Sequence, residues 1–460
     1  MANIAFIQHR LGRTDGVSLE VDKWRSILES MGHRVLYLAG NKDVPGGHCI
    51  PELYPMHPVT NRILMNATRE LKDYPDGRAL LAEVRQHAGI IKARMLAFFE
   101  DESIDLVFPN NLGSVGFNLP GMLALYEALE ESGMKAICHN HDFWWEDSGE
   151  VYPSCPEVIA FYEKFAPPVL PQVQHVTINR IAQHELKTRR GVNATVVPNV
   201  FDFDQPEWKA DEFNLDFRSA IGLAENDLFF LQATRVLDRK GIELAIDLIA
   251  EMQKPENRAR LEERSLYDGR RFDSENRIVL VCAGYVETIG LSGSYAANLQ
   301  AKADKLGVQV LWCGDQVKHS RGKDAQGRKI YSLWDSYVAA DFVTYPSYWE
   351  GWGNQLIEAV FAKLPVVLFE YPVYTSDLSV ADFDVISLGD TLVEPESNGL
   401  VRVREEVLRS ACEGVIEQLQ DSARRQTAAE KNYTAAKRLY SYGALAEIIR
   451  KFLKQTGLEK

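Results

Sequence analysis

Two glutamates, Glu350 and Glu358, stand with seven residues between them in the run Pro346-Ser347-Tyr348-Trp349-Glu350-Gly351-Trp352-Gly353-Asn354-Gln355-Leu356-Ile357-Glu358-Ala359. An ionised glutamate accepts two good hydrogen bonds, so such a pair suits the hydroxyls of a sugar. Asp341-Phe342-Val343-Thr344-Tyr345 reads as a strand just before, and Leu356-Ile357-Ala359-Val360-Phe361 as the apolar face of a helix just after. A strand, a glycine loop and a helix N-terminus in that order can aim backbone amides at an anion. Gly351, Gly353 and Asn354 sit where those amides would be. With Glu350 in the loop and Glu358 one turn into the helix, the carboxylates would lie roughly 10 Å apart by helix rise. That span fits opposite ends of one elongated ligand. It exceeds the ~5 Å between two carboxylates that attack one bond in a retaining hydrolase.

The segment, followed by Lys363-Leu364-Pro365-Val366-Val367, resembles the signature of glycosyltransferase family 4. That family comprises retaining, nucleotide-sugar-dependent enzymes of the α/β GT-B fold: two facing Rossmann-like domains with parallel sheets. The resemblance implies that Glu350 contacts the donor sugar and Glu358 the ribose. It also gives roles to Arg235 and Lys240, which stand in Ala233-Thr234-Arg235-Val236-Leu237-Asp238-Arg239-Lys240-Gly241-Ile242, after a strand and opening a helix. The family has a matching arginine and lysine that bind the donor diphosphate. Fixed cations stabilise the charge developing on the departing nucleoside diphosphate, so no cofactor and no metal are expected. Neither side chain is expected in an apolar core, and the amides around Gly353 would complete the diphosphate cradle.

Cys138-His139-Asn140-His141-Asp142 follows another strand. The family often places a histidine here, beside the reacting carbon, and that role carries to His141, with His139 as the competing choice. The His-x-His spacing also suits a metal, but no third ligand is evident. Gly16, in Asp15-Gly16-Val17, matches part of the family's Gly-Gly-Val, a contact for diphosphate and acceptor; Asp15 replaces the first glycine. Arg13 reads either as a contact for an anionic acceptor or as a solvated charge. Asn110-Asn111-Leu112-Gly113-Ser114 reads as an acceptor loop or an ordinary turn. Val200 after Pro198-Asn199, and Leu368-Phe369-Glu370-Tyr371-Pro372, stand where relatives usually have glycine, so acceptor rules do not carry over.

These residues need a scaffold of alternating strands and helices. Ile4 to Gln8, Arg34 to Ala39, Ile104 to Phe108, Lys135 to Cys138, His175 to Ile178 and Ala194 to Val197 read as strands of one parallel sheet. Leu228 to Gln232, Ile278 to Cys282, Val308 to Trp312, Asp341 to Tyr345 and Val366 to Phe369 read as those of a second. The expected domains are 1–205 for the acceptor and 206–439 for the donor, with a helix in 440–460 crossing back onto the first. Gln205 to Phe213 reads as a linker. The charged stretches Lys254 to Arg277 and Lys318 to Lys329 read as exposed insertions.

The bulk composition is that of a globular enzyme, 46% hydrophobic and 25% charged over 460 residues. A net charge of −14 argues against nucleic acid and anionic membranes. No apolar run approaches the roughly 20 residues that span a bilayer. The N-terminus has no signal-peptide pattern, and six scattered cysteines without a Cys-x-x-Cys pair read as reduced thiols. The reading is a soluble, cytoplasmic hexosyltransferase. Its partners would be a nucleotide sugar of the GDP-mannose or UDP-glucose type and a small sugar or glycerate-like acceptor. Rival readings are a sugar phosphorylase or nucleotide-sugar hydrolase on the same fold, and a non-enzymatic nucleotide-sugar-binding protein.

Overall fold

A computed structural model describes residues 1–459 except 13–14, 45, 147–150, 287–291 and 396. The chain forms two compact units, one of residues 1–200 with 442–460 and one of residues 201–441. At the seam, Phe201 and Ser441 pair as an isolated bridge, and the Phe201 amide donates to the Tyr440 carbonyl at 2.8 Å.

The first unit is built on seven parallel strands: β1 (Asn3–Gln8), β2 (Arg34–Ala39), β3 (His48–Cys49), β4 (Leu106–Pro109), β5 (Ala136–Asn140), β6 (Val173–Thr177) and β7 (Ala194–Val196). Their order, β3-β2-β1-β4-β5-β6-β7, reverses direction between β1 and β4. Near-continuous apolar strands such as Ile4-Ala5-Phe6-Ile7, all fully buried, are what a sheet covered on both faces requires. The last helix, Tyr442–Gln455, belongs to this unit. It buries Leu445, Ile449, Phe452 and Leu453 in the same core as Phe6, Trp24 and Phe108, and the Phe452 ring stacks on Trp24 at 6.5 Å.

The second unit carries six strands in its main sheet, and a small three-stranded sheet beside it. In chain order these are β8 (Leu228–Gln232), β9 (Ile278–Cys282), β10 (Gln309–Trp312), β11 (Val317–Lys318), β12 (Gly322–Lys323), β13 (Lys329–Ser332), β14 (Phe342–Tyr345), β15 (Val366–Leu368) and β16 (Ile386–Ser387). The main sheet, parallel throughout, is ordered β10-β9-β8-β14-β15-β16, so its switch point lies between β8 and β14. Phe342 pairs with Phe230 and Val343 with Leu231 across it.

Two expectations are corrected here. Gln205 to Phe213 is not a bare linker: Trp208 packs on Phe361 at 4.9 Å and on Trp334 at 6.0 Å. The stretch from Lys254 to Arg277 is not simply exposed. It contains the helix Pro255–Glu263, buries Leu261 and Phe272, and sends Arg270 and Arg277 to the buried carboxylates of Asp341 and Asp227. The Lys318 to Lys329 stretch is exposed as expected, with no buried residue, and it holds parts of all three strands of the small sheet. No helix among the described residues is long and apolar enough to cross a membrane.

Candidate active site

Ligand loops in open α/β sheets gather at the strand C-termini, at the switch point. In the second unit those are the loops after β8 and β14, and the two strongest sequence motifs occupy them. Arg235 follows β8, and Lys240 closes the turn that opens the helix Ile242–Met252. Glu350 follows β14, and Asn354 is the first residue of the helix Asn354–Phe361, whose N-cap, Gly353, offers no side chain to its amides.

The two loops touch closely, and glycine allows it. Gly241 has φ +58°, and a β-carbon there would lie 2.4 Å from the Pro346 carbonyl oxygen. Gly353 is confined differently: a β-carbon would meet the Tyr371 hydroxyl at 2.7 Å. That hydroxyl donates to the Trp352 carbonyl at 3.0 Å. Tyr371 therefore braces the glycine loop.

Glu350 is buried, and each of its oxygens meets a cation. Lys240 Nζ bonds to Oε1, and Arg239 Nη1 bonds to Oε2 at 2.9 Å. Burial works against the Glu350 charge, but Lys240 and then Arg239 more than offset it and hold the carboxyl below its ordinary range. Burial also lowers the Lys240 ammonium, against the pull of Glu350. Lys240 is 5% exposed, which corrects the expectation that it lies outside the core. Arg239 escaped the sequence reading. Its only signal was its place beside Lys240, and nothing local told which of two adjacent cations would turn toward the loop.

Arg235 is half-buried, with Nη1 at 3.5 Å from the Tyr285 hydroxyl. Gly351 lies in the loop just after Glu350. Glu358 is the fifth residue of its helix and accepts a 2.8 Å hydrogen bond from the buried Tyr337 hydroxyl. Four cations and carboxylates of this unit, Arg235, Arg239, Lys240 and Glu350, thus lie on the two loops at one switch point.

In the first unit, His141 is the first residue past β5, and His139 lies inside that strand. The two rings are 4.1 Å apart, and His139 also packs on Trp24 at 4.9 Å. Burial pushes His141 down to about 3 and His139 well below the usual imidazole range, so both are neutral. Asp15 is close enough to oppose the His141 shift, and Lys23 to reinforce it. Asn111, with φ +54°, shapes this turn: its Oδ1 accepts from the amides of His141 at 2.7 Å and Asp142 at 3.2 Å, and its Nδ2 donates to Asp142 at 2.8 Å. Asn110 turns inward onto the Phe108 carbonyl.

Gly16 opens the helix Gly16–Ser30, and open space surrounds the position its β-carbon would take. Asp15 is the N-cap of that helix, accepting from the Ser18 amide at 3.1 Å and hydroxyl at 3.0 Å. A carboxylate in place of the family's first glycine therefore answers the helix's own unpaired amides. Arg13 lies outside the described residues. Among the described residues, no group of three or more His, Cys, Asp or Glu is placed to hold a metal ion, and all six cysteines are free thiols.

Two open parallel sheets, each with a switch point, are the architecture of the GT-B fold. Sucrose-phosphate synthase from Thermosynechococcus elongatus shares the fold, with a TM-score of 0.58 at 16% identity over 99% of each chain. Residues 214–378 match the family Glycosyl transferases group 1. The chain is 37% identical over 450 residues to the mannosylglucosylglycerate synthase of Thermotoga maritima, covering 97% of this chain and 98% of that one. It is 34% identical over 415 residues to the enzyme of the same name from Petrotoga mobilis, covering 88% and 92%. The chain belongs to the group 1 glycosyltransferase family.

Proposed function

We propose that this chain transfers a hexosyl group, with retention, from a nucleotide sugar to a small hydroxylated acceptor. The donor is of the GDP-mannose or UDP-glucose type. The name of the two relatives supports a glucosylglycerate as the acceptor and mannosyl as the group moved. The observation that carries this reading is the meeting of Arg235, Arg239, Lys240 and Glu350 at the β8–β14 switch point. Arg235 and Lys240 bring to these loops the positive charge that a bound diphosphate needs. After bonding its cations, the Glu350 carboxylate keeps acceptor capacity for a sugar hydroxyl. Glu358, one turn into its helix and oriented by Tyr337, is offered to the ribose.

In the reaction the bond from the anomeric carbon to the diphosphate oxygen breaks, and one to the acceptor oxygen forms on the same face. The departing phosphate oxygen takes the acceptor proton. His141 supports this assignment by exclusion: a base works best with a pKa near the operating pH, and burial holds His141 at about 3. Its neutral ring is suited to contact rather than to proton abstraction. Arg235 and Lys240 supply the charge that a metal would otherwise provide, so the reaction is metal-independent, and free thiols together with the acidic chain fit the cytoplasm.

Incubation of the protein with GDP-mannose, UDP-glucose or ADP-glucose and glucosylglycerate, with early proton NMR of the product, tests this reading. An α-linked mannosyl product is expected. A β-anomeric signal overturns retention, and release of free sugar or sugar phosphate without transfer overturns the transferase reading.

A further inference from the structure

We propose that Arg239 is the positioning residue that locks Glu350 against the donor sugar; this rests on the nucleotide-sugar reading of the site. One residue grips three consecutive residues of the loop after β14. The Arg239 carbonyl accepts from the Tyr348 amide at 3.1 Å. Its Nη1 donates to the Trp349 carbonyl and to Glu350 Oε2, both at 2.9 Å. Its guanidinium carbon lies 5.3 Å from the centre of the Trp349 ring, and Trp349 is 38% exposed.

The loop needs such a splint. From Pro346 to Gly353 it has no helix or strand of its own, so side chains must hold it. Lys240 meets one oxygen of Glu350, Oε1. Arg239 ties the second oxygen and the backbone one residue earlier through one nitrogen, while its plane covers an indole. A lysine at this position is a point charge on a flexible stem and cannot reproduce a planar contact of this kind. Nη1 of Arg239 is spent on the loop, on Trp349 and Glu350 together, whereas Nη1 of Arg235 faces the Tyr285 hydroxyl.

The separation gives the test. Bare GDP has no sugar to meet Glu350, whereas GDP-mannose does. In the full-length chain, Arg239→Gln should leave the GDP Kd within about threefold of wild type. The ratio of the GDP-mannose Kd to the GDP Kd should rise on the order of tenfold, the scale of losing a charge-assisted hydrogen bond. The kcat should fall on the order of 100-fold, the scale of a small misplacement at a reacting centre. Arg239→Lys should recover little of either. Glu350→Gln should show the same split, and the double variant should be no worse than the worse single one, as expected for residues that act as a unit.

Equal weakening of GDP and GDP-mannose in Arg239→Gln, or a kcat near wild type, overturns the proposal while the nucleotide-sugar reading stands. If wild type binds neither GDP with GDP-mannose nor UDP with UDP-glucose, that reading fails and takes the proposal with it.

Discussion

At the scale of single residues, Arg235 and Lys240 are alike in the sequence and unlike in the structure. Arg235→Ala should lower turnover by at least about 100-fold, as for loss of a charge that stabilises the transition state, with an unchanged melting temperature. Lys240→Ala should lose comparable turnover and also about 3 kcal/mol of stability. It leaves Glu350 buried with one partner instead of two, at the lower end of the cost of breaking a buried pair because Arg239 remains. Kinetics and thermal melts on the two variants check the contrast; an unshifted melt for Lys240→Ala would mean that Glu350 does not depend on it. For Glu358 the informative change is to glutamine, which still accepts from Tyr337. The donor KM should rise about tenfold with kcat little altered, because a ribose contact exists in ground and transition states alike. A fall in kcat at constant KM would move Glu358 to the reacting end of the donor.

The elements that carry these residues differ in how plainly the chain announced them. The strand before Pro346 and the helix after Gly353 were legible because alternating apolar runs flank a glycine loop, a local pattern. So was the first turn of the helix at Ile242. The bracing of that loop was not legible: Tyr371 and Arg239 come from other elements, and only the folded sheet places them under and beside it. The same holds for Lys254 to Arg277, read as exposed because its arginines look solvated until Asp227 and Asp341 appear as their buried partners. Asp15 was legible but misjudged: an aspartate three residues before Ser18 at a helix start is a capping pattern, and it was weighed only as a missing glycine. At this scale Gly241 is the most exposed to test. Gly241→Ala should abolish transfer and lower the melting temperature. The left-handed backbone alone costs about 1–2 kcal/mol, and the β-carbon would push the Pro346 carbonyl away. Retained activity would mean that the two loops need not touch.

For the molecule as a whole, acid and chelators probe different properties. His9, His139, His141 and His175 all lie in the first unit with imidazoles depressed by burial, to about 4, well below normal, about 3 and about 4. Such groups take up protons only on unfolding, so their contribution is present above about 6.5 and is lost as pH falls toward 4, each with a slope of up to about 1.4 kcal/mol per pH unit. Glu146, raised by burial to about 8, and Glu20 and Glu243, also raised by burial, act in the opposite sense; with His33, lowered by burial too, that is three groups against five. Unfolding midpoints in denaturant should therefore fall between pH 6.5 and 4.5; a flat profile would mean that these imidazoles protonate without unfolding. EDTA should leave transfer intact, since fixed cations line the second unit's loops; activity lost on chelation and restored by magnesium or manganese would replace them with a metal. The pairing of Phe201 with Ser441 has a consequence for recombination. The segment between them begins and ends at one point, so it can be exchanged as a cassette without disturbing the chain on either side. A single crossover at that seam does something else: it also imports a foreign terminal helix, whose side chains must replace Leu445, Ile449, Phe452 and Leu453 against Trp24 in a core they did not evolve with. Chimeras that exchange residues 201–441 alone should thus melt higher than chimeras that exchange everything from 201 onward.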